Sequence, residues 1–329
     1  MRALLLRQSD GQTTAEVTDV PESDLPDGGV LVDVSHSSLN YKDGLAVTGR
    51  GKIVRGEFPF VPGIDLAGTV AASDSERWQE GDRVVLTGWG TGENQWGGYA
   101  ERARAEAGHL VAIPNGLSAE DAMWIGTAGF TAMLSVLALE AHDVEPGSGP
   151  VAVTGASGGV GSMATALLAA SGHEVHAVTG TESAHDYLRQ LGAAEILGRE
   201  ALAEAPDAPL QKGVWAGAVD SVGGTTLAAL IAQAKRHGCI AACGLAGGAG
   251  LSTTVFPFIL RGVTLAGIDS NTAPVDLREQ AWSRLAEAVA SGHLAGVDKT
   301  VIGLGDVQAW SEKIVEGATV GRVVVDVRA

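Results

Sequence analysis

The stretch TGASGGVGS, Thr154–Ser162, concentrates small residues between an apolar run, PVAVTGA, and a helical pattern, VGSMATALLAAS. Small residues at that spacing let the chain turn tightly out of a strand. They also let a backbone approach a pyrophosphate, and let the following helix pack closely on its strand. Gly158 and Gly161 stand at the last two glycine positions of the dinucleotide fingerprint, and Ala156 stands at the first. With Ser157, Gly159 and Val160 they form the turn whose N–H groups would meet the phosphates at the helix N-terminus. The chemistry implied is the holding of a dinucleotide.

The next strand, EVHAVTG, would carry the residues that read the ribose. A site for NAD places a carboxylate at the tip of this strand to take the ribose 2′-OH. Here Thr179, Gly180 and Thr181 occupy the tip, with Glu182 just beyond. Hydroxyls and backbone N–H groups suit a 2′-phosphate better, and Arg199, after the short strand AEIL, supplies a cation. NADPH is therefore the expected cofactor. In open sheets of this kind ligands lie outside the carboxyl ends of the strands. That places Leu245, after CIAACG, and Ile268 and Ser270, after VTLAG, on the cofactor rim, with Asn271 nearby.

The chain that positions these residues has 329 of them, with 45% hydrophobic and 19% charged. That length suggests two domains. Residues up to about 117 alternate short apolar strands (MRALLLRQ, GVLVDVSHSSL, DLAGTVAAS, DRVVLTG) with turns. A long apolar helix then opens at Ser118, an expected N-cap. From Gly149 strands and helices alternate, and the strands are almost wholly apolar, as in a parallel sheet covered on both faces. The tail KTVIGLGDVQAWSEKIVEGATVGRVVVDV returns to strand–helix–strand and is expected to rejoin the first section. The fold class is α/β, with a Rossmann doubly wound parallel sheet beside a β-rich domain.

The formal net charge of −17 argues against polyanionic partners, so neither nucleic acid nor a membrane is expected. No membrane span is expected, since no apolar run is read as reaching ~18 residues, and no leader is expected. Two cysteines, Cys239 and Cys243, read as buried thiols on a strand, which fits a reducing cytoplasm. No histidine pair has metal-ligand spacing.

Together, the β-rich N-terminal section, the mid-chain GGVG and the ending GATVGRVVVDV resemble the medium-chain dehydrogenase/reductase family over essentially the whole chain. The resemblance implies a GroES-like catalytic domain over 1–120, completed by 297–329, and a Rossmann NADP-binding domain over 121–296. It also implies a homodimer, formed through the sheet edge near VTLAGI. Zinc-dependent members carry an early ligand cysteine and a GHE motif. Here those places read NYKDG and PGIDLAG, with Ile64 for the histidine, so the metal set cannot be assembled and no metal is expected. SSLNYKDGLAVTG, PGIDLAGTV, YLRQLGA and GIDSNTAP are similar to the zinc-free, NADPH-dependent acrylyl-CoA reductase branch, which is itself quinone-oxidoreductase-like. The branch carries a Gly-Arg pair after the second strand, where Thr181 stands in this chain. Its second phosphate contact matches Arg199, and Arg322 matches a family position near the cofactor.

The activity so implied is reduction of the C=C bond of acryloyl-CoA to propanoyl-CoA, with an NADPH:quinone reductase as the alternative. Hydride attack at the β-carbon builds negative charge on the thioester oxygen and calls for a hydrogen-bond donor and an acid. The resemblance places Asn40 and Tyr41 facing the nicotinamide. Tyr41 can give a proton or contact the cofactor, and Asn40 can donate to a carbonyl. Asp43 would orient a neighbour or sit in a surface ion pair, and Asp65 is either structural or functional. Lys42, Arg50, Lys52 and Arg55 form a basic island on an acidic chain, and Arg50, Lys52 and Arg55 are candidates for coenzyme A phosphates.

Overall fold

The structure, a computed structural model, describes residues 1–329. The first section runs β1 (Arg2–Ser9), β2 (Gln12–Asp19), β3 (Val30–Leu39), α1 (Tyr41–Val47), β4 (Asp65–Ser73), β5 (Arg83–Thr87), β6 (Arg102–Ala105) and β7 (Val111–Ala112). The long α2 (Ala119–Glu140) follows. Strands and helices then alternate through β8 (Val151–Thr154), α3 (Gly159–Ala170), β9 (Val175–Val178), α4 (His185–Gln190), β10 (Glu195–Leu197) and β11 (Trp215–Asp220). The alternation continues with α5 (Gly224–Ala232), β12 (Ala234–Ala242), α6 (Phe256–Arg261) and β13 (Thr264–Gly267). The chain closes with α7 (Val275–Ala290), β14 (Lys299–Gly303), α8 (Val307–Val315) and β15 (Arg322–Asp326).

These elements form two compact units, Met1–Thr127 with Ser270–Ala286 and Asp298–Ala329, and Ala128–Asp269 with Glu287–Val297. In the first unit the strands order β14-β15-β3-β4-β5-β7, and β6 adds to β3. All pairings there are antiparallel except β14 with β15. β3 shows why. The start of VLVDVSHSSL alternates buried and half-buried residues, as a strand with one face on a core must. The tail does rejoin this unit, because Val323–Asp326 pair with Leu39–His36.

The second unit is a sheet ordered β10-β9-β8-β11-β12-β13, parallel throughout. β8, β9 and β11 are buried along their whole length, which accounts for their unbroken apolar sequences. The order reverses between β8 and β11, and this is the switch point at which such sheets bind ligands.

Two expectations need correction. The domain boundary expected at 120/121 falls at 127/128, and 270–286 groups with the first unit instead of the Rossmann unit. The causes are local. Trp124 and Thr127 are bonded to Arg322 and Asp65 of the first unit. The Arg278 guanidinium donates to both the carbonyl and the hydroxyl of Thr87 at 2.8 Å, and Trp89 N donates to Asn271 O at 2.9 Å. The second correction concerns α2, which is long and apolar enough to cross a membrane by length and composition. Its most apolar window is 83% buried within the protein, as in a core helix. Ser118 caps it as expected, its Oγ accepting from Asp121 N at 2.9 Å. The helix breaks at Gly126, where φ is 51°.

Candidate functional site

In the second unit, the Thr154–Ser162 turn leaves β8 and enters α3 with Gly158 as N-cap. No acidic residue lies in the first turn of α3, so nothing there offsets the positive end of the helix. Ser162 Oγ donates to Gly158 O at 2.7 Å and ties the turn down. A Cβ on Gly161 would overlap the Gly155 carbonyl oxygen and come within 2.5 Å of Ala156 Cα. Gly161 is therefore the close-approach position that the spacing implied.

At the tip of β9, Thr179 Oγ1 lies 3.2 Å from Ser157 Oγ and accepts from Thr181 N at 3.1 Å. The structure thus joins the phosphate turn and the ribose-reading strand through two hydroxyls. Arg199 opens a short 3-10 turn after β10 and lays its guanidinium against Gly180, where a Cβ would overlap Nε. Glu182 is exposed. These residues fit a dinucleotide with a 2′-phosphate: a turn that a side chain would fill, hydroxyls around it, a cation beside it and no carboxylate at the strand tip. Leu245 is 65% exposed just past β12. Ile268 extends β13, its N–H donating to Ala242 O at 3.0 Å. Ser270 is different. It belongs to the first unit, and its carbonyl accepts from Arg278 at 3.3 Å.

Gly180→Ala is expected to push the flexible Arg199 side chain aside with little effect on stability. The KM for NADPH should rise roughly tenfold, the value of one charge-assisted contact, with that for NADH little changed. Equal rises for both cofactors would show that Arg199 does not read the 2′-phosphate.

In the first unit, the Asn40–Tyr41 segment starts α1, with Asn40 as N-cap. Tyr41 is 43% exposed. Asn40 is buried, and its amide is fully engaged. Nδ2 donates to Ser38 Oγ (3.0 Å), Asp43 Oδ2 (3.0 Å) and Asp65 Oδ2 (2.9 Å), while Oδ1 accepts from Arg322 at 3.3 Å. Two N–H groups are shared among three acceptors, which leaves none for a substrate. In this arrangement Asn40 is tied into the buried network, where a carbonyl donor was expected. Sequence reasoning missed this because a lone Asn beside Tyr carries no sign of its inward partners.

Asp43 and Asp65 are both buried. Asp43 orients neither Lys42 nor Tyr41 directly. It accepts from Asn40 N and Ile64 N, each at 2.9 Å. Asp65 accepts from Ser38 Oγ, Thr127 N (2.9 Å) and Thr127 Oγ1 (2.5 Å). The kink at Gly126 makes this possible, because it frees the Thr127 N–H, and a Cβ there would press on Arg322, Asp65 and Ser38. Arg322 is also buried. It donates to Trp124 O at 2.9 Å and Asn40 Oδ1, and its charge is felt by Asp65 and Asp43 close by. Burial, and after it the charge of Asp65, pushes Asp43 up to about 7. Burial and the same two carboxylates raise the Tyr99 phenol well above its usual range, and Tyr99 donates to Ser38 O at 3.1 Å.

The basic island is less free than its sequence suggested. Lys42 pairs with Glu93 at 2.8 Å and Arg50 with Glu316 at 3.8 Å, while Lys52 and Arg55 are exposed. Zinc does not fit the corner of the unit where the family holds it. Ile64 and Asn40 offer no ligand, Asp43 and Asp65 are saturated by N–H and O–H donors, and no group of three His, Cys, Asp or Glu side chains is placed to hold an ion.

An antiparallel β-rich unit joined to a parallel sheet with a glycine-rich turn at its switch point defines a dinucleotide-dependent dehydrogenase or reductase. Residues 26–115 match the alcohol dehydrogenase GroES-like domain and residues 159–290 the zinc-binding dehydrogenase domain, and the chain belongs to the medium-chain dehydrogenase/reductase family. It is 54% identical over 327 residues to the probable acrylyl-CoA reductase AcuI of Escherichia coli, covering 99% of this chain and 100% of that one. It is 50% identical over 322 residues to the acrylyl-CoA reductase AcuI of Ruegeria pomeroyi, covering 98% and 97%. The crystal structure of the yhdH oxidoreductase of Salmonella enterica in complex with NADP superposes with a TM-score of 0.96 at 54% identity, over 99% of both chains.

Proposed function

We propose that the protein is an NADPH-dependent oxidoreductase acting on a CH–CH group, reducing acryloyl-CoA to propanoyl-CoA. The observation that carries this reading is identity of 50% or more, across the full chain, with acrylyl-CoA reductases. When bound, NADPH supplies the hydride taken by the β-carbon. Ser157, Gly158, Gly159 and Val160 hold its pyrophosphate at the α3 N-terminus, and Thr179, Gly180, Thr181 and Arg199 meet its 2′-phosphate. Leu245 and Ile268 line its rim. Tyr41, the one exposed phenol at the start of α1, gives a proton or hydrogen bond to the enolate as charge builds on the thioester oxygen. Asn40 holds Tyr41 in place from beneath, and Arg322 neutralises the carboxylates that hold Asn40. The chemistry needs no Lewis acid because conjugation with the thioester already activates the double bond, so we read the enzyme as zinc-independent.

Lys52 and Arg55, with Arg50 when it leaves Glu316, are the candidates for the coenzyme A phosphates. A homodimer through the Rossmann sheet fits the open edge of β13 and the exposed Val255, Phe256, Ile259 and Leu260 on and beside α6. The cytoplasm is its expected compartment.

The test is NADPH oxidation at 340 nm with acryloyl-CoA, acryloyl-pantetheine and a simple quinone offered in parallel. Turnover with the thioesters, and a lower KM for the CoA form, is expected. Turnover with the quinone alone would make the protein a quinone reductase. Equal KM values for the two thioesters would remove the phosphate contacts. A monomer mass by light scattering would remove the dimer.

A further inference from the structure

We propose that Asp43 is the positioning residue of Tyr41: its ionised carboxylate clamps the start of α1 to the chain at Ile64 and so fixes the phenol that leads the helix. This rests on the reading of Tyr41 as the group that meets the substrate.

The geometry makes Asp43 the link between two segments of the first unit. One oxygen accepts from the backbone and side chain of Asn40, the residue before Tyr41, at 2.9 and 3.0 Å. The other accepts from Ile64 N at 2.9 Å. Every contact is a donor aimed at Asp43, so the site is built for a carboxylate with no proton. A protonated Asp43 would lose its charge and add a donor facing three donors, which weakens the hydrogen bonds that make the clamp. Two other contacts hold α1. Its Gly44 lies so close to α8 that a Cβ would stand 2.6 Å from Ile314 Cγ2, and Lys42 is paired to Glu93. Lys42 belongs to the first turn and its pair holds a side chain there, whereas the Asp43 contacts hold the backbone at Asn40 and Ile64, so loss of the clamp acts on the backbone that carries Tyr41.

The charged and titratable groups facing Asp43 are Asp65 from β4, Arg322 from β15 and Tyr99 from the segment before β6. Burial and Asp65 raise Asp43 to about 7. The clamp is then complete above neutral pH and released below it. Stability responds in the opposite direction. The fold holds the Asp43 proton more tightly than the unfolded chain does, so this group favours the native state increasingly as pH falls from about 7 toward the unfolded value of 3.8. An acid limb in activity without loss of fold is the signature.

The experiment is a double-mutant cycle of Asp43→Asn and Tyr41→Phe on the full chain with NADPH and acryloyl-CoA. Hydrogen–deuterium exchange of the peptide covering 40–48 is followed in parallel from pH 6 to 8.5, corrected for intrinsic exchange. Asp43→Asn should lower kcat roughly tenfold at pH 8 and leave the KM for NADPH within about twofold. It should also abolish the acid limb near pH 7 and add little to the effect of Tyr41→Phe. In the wild type, protection of the first turn should fall as pH drops through 7. Effects that multiply independently, or an acid limb that survives in Asp43→Asn, would overturn the proposal. If the wild type does not reduce acryloyl-CoA, the reductase reading fails alone. The exchange profile of the wild type still decides the clamp, even if Asp43→Asn does not fold.

Discussion

Gly161→Ala should all but eliminate NADPH binding while leaving the first unit folded. A methyl group at this position meets backbone, the Gly155 carbonyl oxygen and Ala156 Cα, and no side chain there can rotate away. Either α3 moves off the sheet or the turn deforms. Both change where the N–H groups of Gly159 and Val160 point, and those groups are the ones proposed to hold the pyrophosphate. A rise in Kd of about 100-fold, or ~2.7 kcal/mol, is expected in a titration of NADPH fluorescence. Binding within about threefold of the wild type would mean that the turn is not the phosphate cradle.

Arg322→Met should be the most destabilising single change in the first unit. It removes the counter-cation of two buried carboxylates and leaves Asp43 and Asp65 facing each other across Asn40. Removing a buried cation whose charge offsets two buried carboxylates is expected to cost about 3–5 kcal/mol, by analogy with breaking a buried pair from one side, which corresponds to a fall in Tm of roughly 10 °C. The sign of the pH dependence follows from Asp43. Its pKa in the fold is already raised from 3.8 to about 7 by burial and Asp65, so the charged form is the one the fold disfavours. Without Arg322 that penalty grows, and it is felt where Asp43 must ionise. The deficit in Tm should therefore be larger at pH 8 than at pH 6, where the carboxyl keeps its proton. A deficit equal at both values would show that lost packing, not charge, is responsible.

The Rossmann half was legible because its signals are local. TGASGGVGS lies between a buried strand and a helix, and the absence of a carboxylate after EVHAV can be read from the sequence as written. The hydroxyl link from Ser157 to Thr179 needed only two elements that the pattern already placed side by side. In the first unit the strands were equally legible, but their chemistry was not. Asn40, Asp43, Asp65, Thr127 and Arg322 are scattered over nearly the whole chain, and no spacing rule relates them. Arg322 lay in a recognisable motif, yet its side chain turns inward because two carboxylates and the Trp124 carbonyl wait there. The basic island failed in the opposite way. A run of cations shows its own charges but not Glu93 and Glu316, which reach it from distant segments.

Local patterning by itself determined the parallel sheet, the dinucleotide turn and the lack of an early cysteine. Those depend on neighbours in the chain, where hydrophobic period, turn residues and caps act directly. Only the tertiary structure decided which polar side chains are spent on the protein itself. Burial charges a desolvation penalty to every polar atom, so each must find a partner wherever the fold brings one. Those partners draw Asn40 and Arg322 into one buried polar network, leave Tyr41 exposed beside it, and give Asp43 a proton affinity that no reading of its neighbours in sequence would assign.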